Sequence, residues 1–164
     1  MSVISLSIEM WEFNRGRTLA TLDDIAKQAD PQAILGWRPG PGRAHIAWQL
    51  MHIGITEELF GTARLRGIEP AFSDLVPRFK GGSTPDDNIP TVAQIREVLE
   101  TGRKHLKETF ASLSDDNLGT IPEAFQERGW TLGTILKIIA WHEAHHQGQA
   151  HITLNLWKAA NQSS

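Results

Sequence analysis

The sequence predicts an all-α protein, a four-helix bundle with a long connection between its second and third helices. Three observations predict it. Apolar residues recur at three- and four-residue steps in four separate stretches, none of which shows the alternation of a half-buried strand, and Gly/Pro-rich breaks divide them. Four amphipathic helices of similar length bury their stripes economically by packing together. With 164 residues, 40% hydrophobic and 21% charged, the chain has the composition of one ordinary domain spanning residues 1–164.

Ile8, Trp11, Leu19, Leu22 and Ile25 define the first helix, interrupted by Arg15 and ended by Asp30-Pro31. After the break Arg38-Pro39-Gly40-Pro41-Gly42, a strongly apolar second helix is expected from about Arg43 to Arg66, with Trp48, His52, Ile55 and Leu59 on one stripe. Residues 67–90 carry Gly67, Pro70, Pro77, Gly81, Gly82, Pro85 and Pro90, which forbid a long helix and a central strand. A loop of that length is uncommon in a compact domain unless it covers a functional site or is partly disordered. Thr91-Val92-Ala93-Gln94 has the pattern of a capping box, and Val92, Ile95, Leu99, Leu106 and Phe110 carry the third helix to about Ser112. A polar connector with Asp115, Asp116, Gly119 and Pro122 leads to Thr131, the expected cap of a last helix reaching about Lys158.

Composition narrows the function classes. Sixteen Lys plus Arg stand against nineteen Asp plus Glu, a formal charge of -3, and no basic cluster is long enough to track a phosphate backbone, which argues against a nucleic-acid partner. The absence of cysteine removes disulfides, thiolate ligands and a cysteine nucleophile. No stretch approaches the roughly 18 apolar residues of a membrane span, and the opening residues lack the basic region of a signal peptide, so a soluble, cytoplasmic protein without a membrane partner is expected.

The unusual stretch is Trp141-His142-Glu143-Ala144-His145-His146-Gln147-Gly148-Gln149 in the last helix. At about 100° per residue, His142 and His146 lie one turn apart on the same face, a spacing at which two imidazoles converge on one ion. They share that face with Ile135, Ile139, Gln149 and Leu156, the stripe expected to point inward. A pair of hydrogen-bonded core histidines is the bland alternative. His52, on the apolar stripe of the second helix, supplies a third inward nitrogen, and three ligands leave a position open for water or substrate. His45 lies about 10 Å further along the axis, too far to share an ion with His52, and His105, His145 and His151 fall on flanks or outer faces. His142 to His146 also reads H-E-x-x-H, the zinc-protease signature. Its longer form needs Gly and His where Gln149 and Ile152 stand, and no acidic residue follows Glu143 to act as a downstream ligand.

On the segments Pro39-Gly40-Pro41-Gly42-Arg43 to Ile53 and Gly129-Trp130-Thr131 to Gln149, the chain resembles the DinB-like or YfiT-like metalloenzyme family over essentially its whole length. The resemblance implies a four-helix bundle holding a divalent ion, commonly zinc or nickel, on His52, His142 and His146, with dimers frequent. It also implies thiol-dependent transferase or isomerase chemistry in some members.

A divalent ion on three neutral histidines keeps its charge, acidifies a bound thiol or water and polarises a carbonyl. Without cysteine, a thiol must come from a low-molecular-weight cosubstrate, which suits a transferase acting on a small molecule. With water instead, the same site is a hydrolase, and Glu143 is the nearest candidate general base, its alternatives being a solvated residue or a partner of a ligand. A non-catalytic metal or small-ligand binding protein has the same motif. Gln49 and Gln149 flank the ligand helices, Trp48, Trp130, Trp141 and Trp157 either wall a pocket or pack, and Arg64, Arg66, Arg78 and Lys80 form a solvated face or meet an anionic substrate.

Overall fold

The computed structural model describes residues 1–161, and no strand occurs among them. Four long helices dominate: α1 (Val3–Ala26), α3 (Ile46–Leu59), α5 (Val92–Ala111) and α6 (Leu132–Asn161). Each packs on two of the others, α1 on α6, α6 on α3, α3 on α5 and α5 back on α1. No helix among the described residues is long and apolar enough to cross a membrane.

Two short α-helices, which the sequence pattern does not announce, and two 3-10 helices, Asp115–Asn117 and Glu123–Arg128, join them. Asp30 caps α2 (Pro31–Gly36) by accepting from the Ala33 amide, and Pro31 takes the first turn, where its missing N–H is harmless. The second, α4 (Val76–Phe79), sits inside the 67–90 loop, whose prolines keep it to one turn. The second long helix is also shorter than expected. It starts at Ile46, because His45 caps it by accepting from the Trp48 amide at 3.0 Å, and after Leu59 it widens into a π-turn at Phe60–Arg64. The capping box at Thr91 and Gln94 forms as expected, and Thr131 accepts from the Thr134 amide at 3.1 Å at the start of α6.

The core divides into two apolar groups. One gathers Leu22, Ile25, Leu35, Leu50, Ile53, Leu99 and Leu154, and the other Trp11, Phe60, Phe110, Phe125, Ile135 and Leu136. Between α3 and α5 the backbones nearly touch. A Cβ on Gly102 would stand 2.4 Å from the Gly54 carbonyl oxygen, and one on Gly61 would stand 2.6 Å from the Leu106 nitrogen, so only glycine permits this approach.

The inward stripe of α6 differs from the expected one. Leu132, Ile135, Leu136, Ile139, Glu143, Ala150, Thr153 and Leu154 are buried, whereas Leu156 is 47% exposed. The helix runs 30 residues, and a stripe kept at strict three- and four-residue steps drifts round the axis over that length. His142 and His146 therefore stand at the edge of the buried face, turned to α3, and Glu143 stands within it.

Candidate metal centre

Antiparallel pairing of α3 and α6 brings His52, His142 and His146 together, with one ligating nitrogen from each within 4.8 Å of the others. His52 and His142 approach closest, Nε2 to Nε2 at 3.0 Å. Tetrahedral zinc with nitrogen ligands places neighbouring nitrogens roughly 3.3–3.4 Å apart, so the His52–His142 pair already stands near that spacing, while the widest separation in the trio has up to about 1.5 Å to close around an ion. No carboxylate joins this group. Among the described residues, the donor set is three neutral imidazoles, which fits a borderline-soft divalent metal.

Hydrogen bonds fix two of the tautomers. The Phe79 carbonyl oxygen lies 2.7 Å from His52 Nδ1, and a carbonyl only accepts, so Nδ1 carries the proton and Nε2 presents its lone pair to the site. In the same way His146 Nδ1 donates to Gln49 Oε1 at 2.6 Å. Gln49 in turn donates to Gln149 Oε1 at 2.9 Å, and Gln149 donates to His145 Nε2 at 2.7 Å. This relay holds the Gln49 carbonyl oxygen towards His146, leaving His146 Nε2 unprotonated. Since His52 Nε2 has no proton, His142 Nε2 donates in the 3.0 Å contact, and an ion would take that proton's place.

Burial keeps all three imidazoles neutral. It is the largest cause of the depression at each, reinforced by neighbouring imidazoles at His142 and His146, which are both pushed down to about 3. Burial lowers His52 as well, against the opposing hydrogen bond to Phe79 and with some help from the charge of Arg64. Neutral imidazoles are the form that binds metal, so no proton has to be expelled from an imidazolium at neutral pH.

The 67–90 loop is what holds His52. Besides the Phe79 carbonyl, the loop supplies the Arg78 carbonyl and the Ser83 hydroxyl, each 3.2 Å from Trp48 Nε1, and Trp48 stacks on His52 with ring centroids 4.7 Å apart. Arg78 pairs with Asp86 at 2.8 Å, and His45 Nε2 donates to the Asp86 carbonyl at 2.9 Å, fastening the loop to the start of α3. Gln49 was legible as a residue beside the ligand helices. The Phe79 carbonyl, a backbone group 27 residues from its partner, left no trace in the side-chain pattern.

Glu143 lies elsewhere. It is 1% exposed, and its carboxylate accepts from Arg15 Nε at 2.7 Å, from Thr18 Oγ1 at 2.9 Å and from Arg103 Nη2. Glu57 completes the cluster, bonded to Arg15 Nη2 at 2.7 Å and to Arg103 Nη2 at 2.6 Å. Each long helix thus contributes one charged residue to a neutral quartet. Burial alone would push Glu57 up, but Arg15 and Arg103 outweigh it and hold the carboxyl below its usual range. The remaining histidines stay outside the centre. His105 bonds Glu58 at 2.7 Å, exposed His145 stacks on Trp141 at 5.0 Å, and His151 is exposed.

With this geometry in place, the family comparison is decisive. The family model of the DinB superfamily matches residues 10–150. The chain belongs to the DinB superfamily. The match spans both the His52 helix and the His142–His146 helix, and so contains the whole trio. No curated relative matches the chain.

Proposed function

We propose that this DinB superfamily chain is a divalent-metal-dependent enzyme, a thiol-dependent transferase acting on a small molecule, with His52, His142 and His146 as its ligands. Its ring of four long helices is then the family's four-helix bundle. The observation that carries the reading is the pair of preset tautomers, which leaves the Nε2 lone pairs of His52 and His146 free for an ion within a trio whose ligand atoms lie within 4.8 Å of one another. A bound divalent ion, zinc or nickel, supplies Lewis acidity towards a thiol or water. The chain's own residues hold that centre. Phe79 and Gln49 keep protons on the outer nitrogens, and Trp48 covers one face of His52. A cavity of about 470 Å³ lined by Trp48, Gln49, Gln149, Ile152 and Leu156 gives a small molecule room beside the site.

The choice of transferase over hydrolase rests on Glu143. A hydrolase needs a general base, and both oxygens of the one candidate are occupied by Arg15, Thr18 and Arg103, so we assign Glu143 a structural role. The thiol comes from a low-molecular-weight cosubstrate, since the chain has no cysteine. Elemental analysis of the purified protein tests the centre: about one metal per chain is expected, lost in His142→Ala, and full occupancy in that variant refutes the site. Turnover of an electrophile with added thiol by the loaded protein separates the transferase from a non-catalytic binding protein. We also propose a homodimer, supported by Val3, Leu6, Met10 and Phe13, all more than half exposed and three or four residues apart on α1. Sedimentation of wild type against Phe13→Glu decides it, with a monomeric wild type as the contrary result.

A further inference from the structure

The four long helices form a ring, so the seam between α1 and α5 lies across the bundle from the α3–α6 seam that carries the three histidines. It is the loosest of the four seams, and a cavity of about 420 Å³ opens along it. Buried Arg15 and Arg103, both members of the quartet, form its floor. Half-buried Leu19 gives it an apolar wall, and exposed Glu12, Lys104 and Lys107 stand at its rim.

The two arginines of the floor differ. Arg15 uses all three guanidinium nitrogens, donating to Glu143, to Glu57 and to the Leu99 carbonyl oxygen. Arg103 donates through Nε and Nη2 to Glu57 and Glu143, and its Nη1 is the one buried side-chain nitrogen or oxygen among the described residues without a hydrogen bond. The residue is only 5% exposed, so the surrounding solvent does little for that nitrogen. Glu12 Oε1, in the groove wall, stands 3.6 Å from Nη1, beyond hydrogen-bond reach, and Lys107 Nζ holds the same oxygen at 3.2 Å. A buried donor left unmade costs stability, and this one faces an open cavity with a carboxylate beside it.

Charge selects the occupant. Arg15 and Arg103 are matched by Glu57 and Glu143, Lys107 by Glu12, and Lys104 by Glu108 at 4.0 Å, which leaves Glu100 over and the lining slightly negative. An anion is disfavoured by that balance, and a cation finds a donor where it needs an acceptor. What suits the place is a neutral group with an acceptor for Nη1 and, next to it, a donor for Glu12. A carboxamide carries those two functions on adjacent atoms, side by side, as the two protein groups are. We infer that the groove between α1 and α5 is a second small-molecule site, and that it takes a neutral carboxamide whose oxygen accepts from Arg103 Nη1 and whose NH2 donates to Glu12. The apolar part of such a ligand rests against Leu19 and the aliphatic stem of Lys104.

The test titrates three probes of similar size, benzamide, benzoate and benzyl alcohol, into the nitrogen-15-labelled protein and reads amide shifts by NMR. Benzamide is expected to bind saturably with a millimolar Kd or tighter, moving signals on the facing stretches of α1 and α5, and the other two at least about tenfold more weakly. Arg103 belongs to the buried quartet, so the variant is made at the exposed rim instead. Glu12→Ala removes the acceptor for the NH2 group and is expected to weaken benzamide about tenfold. Glu9→Ala makes the same change of net charge one turn earlier on α1, outside the groove, and is expected to leave its Kd within about twofold. No saturable shift in the groove, with Arg103 Nη1 served by water alone, overturns the inference. So does benzoate or benzyl alcohol binding as tightly as benzamide, or an equal loss in Glu9→Ala. The groove shares no residue with the histidine trio, so the outcome stands apart from the reading of the metal centre.

Discussion

Glu143 and its neighbours His142 and His146 leave α6 on different faces and enter two polar clusters built on opposite terms. In the quartet Arg15, Glu57, Arg103 and Glu143, charges are buried but matched, two against two, and each carboxylate oxygen has a donor. In the trio His52, His142 and His146 nothing is charged, yet lone pairs are held facing one another by partners outside the cluster. The quartet is matched in charge, with Arg103 Nη1 left without a hydrogen bond 3.6 Å from Glu12 Oε1, and the trio is an open network. The difference teaches that burying polar side chains serves two ends: linking four helices into one arrangement, or keeping a binding valence ready.

Breaking the quartet is expected to give the largest effect. Glu143→Ala leaves Arg15 and Arg103 with unmatched buried charge and should cost about 3–5 kcal/mol in urea unfolding. A loss under about 1 kcal/mol would show that the quartet is not what holds the helices. Acid comes next and separates the clusters by pH. The unfolded chain protonates histidine near pH 6.5, whereas folded His142 and His146 resist to about 3, so the stability they confer on the metal-free protein is full above pH 6.5 and falls as pH drops below it. Between pH 7 and 5 each should lose about 1–2 kcal/mol. Glu57 is depressed, so its contribution holds above the ordinary carboxylate range and is lost only at lower pH. A urea-midpoint series over pH 7 to 5 should therefore flatten in His142→Ala/His146→Ala, and an unchanged slope would contradict it.

Gln49→Ala removes the acceptor of the His146 proton and should weaken zinc binding about 10–100-fold, read by competition with a chelating dye. The smallest effect sharpens the contrast most. His142→Ala in the metal-free protein should shift unfolding by about 1 kcal/mol, the low end of the cost of stranding one acceptor, because His52 Nε2 loses its donor but no charge is left unmatched.

All-helical architecture, the three histidines and the capping box at Thr91 were legible because each depends on local spacing. Hydrophobic period placed His52, His142 and His146 on inner faces, and the structure brings them within reach of one another. Leu156 was misplaced because a stripe extrapolated over 30 residues drifts, and the same drift concealed that Glu143 faces inward. Its partners Arg15 and Arg103 were visible as charges on apolar helices, but pairing across 128 and 40 residues is a property of packing, not of period. The short helices α2 and α4 are too brief for periodicity to register, and the Phe79 carbonyl carries no side-chain signal at all.

The glycine contacts between α3 and α5 have a bearing on how this protein can change over generations. Where two backbones meet at Gly54, Gly61 and Gly102, there is no side chain left to trim and no room to add one. His52 is thereby anchored to a part of the molecule with almost no freedom to drift. Substitutions that retune the centre must accumulate on α6 and in the 67–90 loop, so variation among descendants of this sequence should be one-sided, with one wall of the site inherited nearly intact and the other open to experiment.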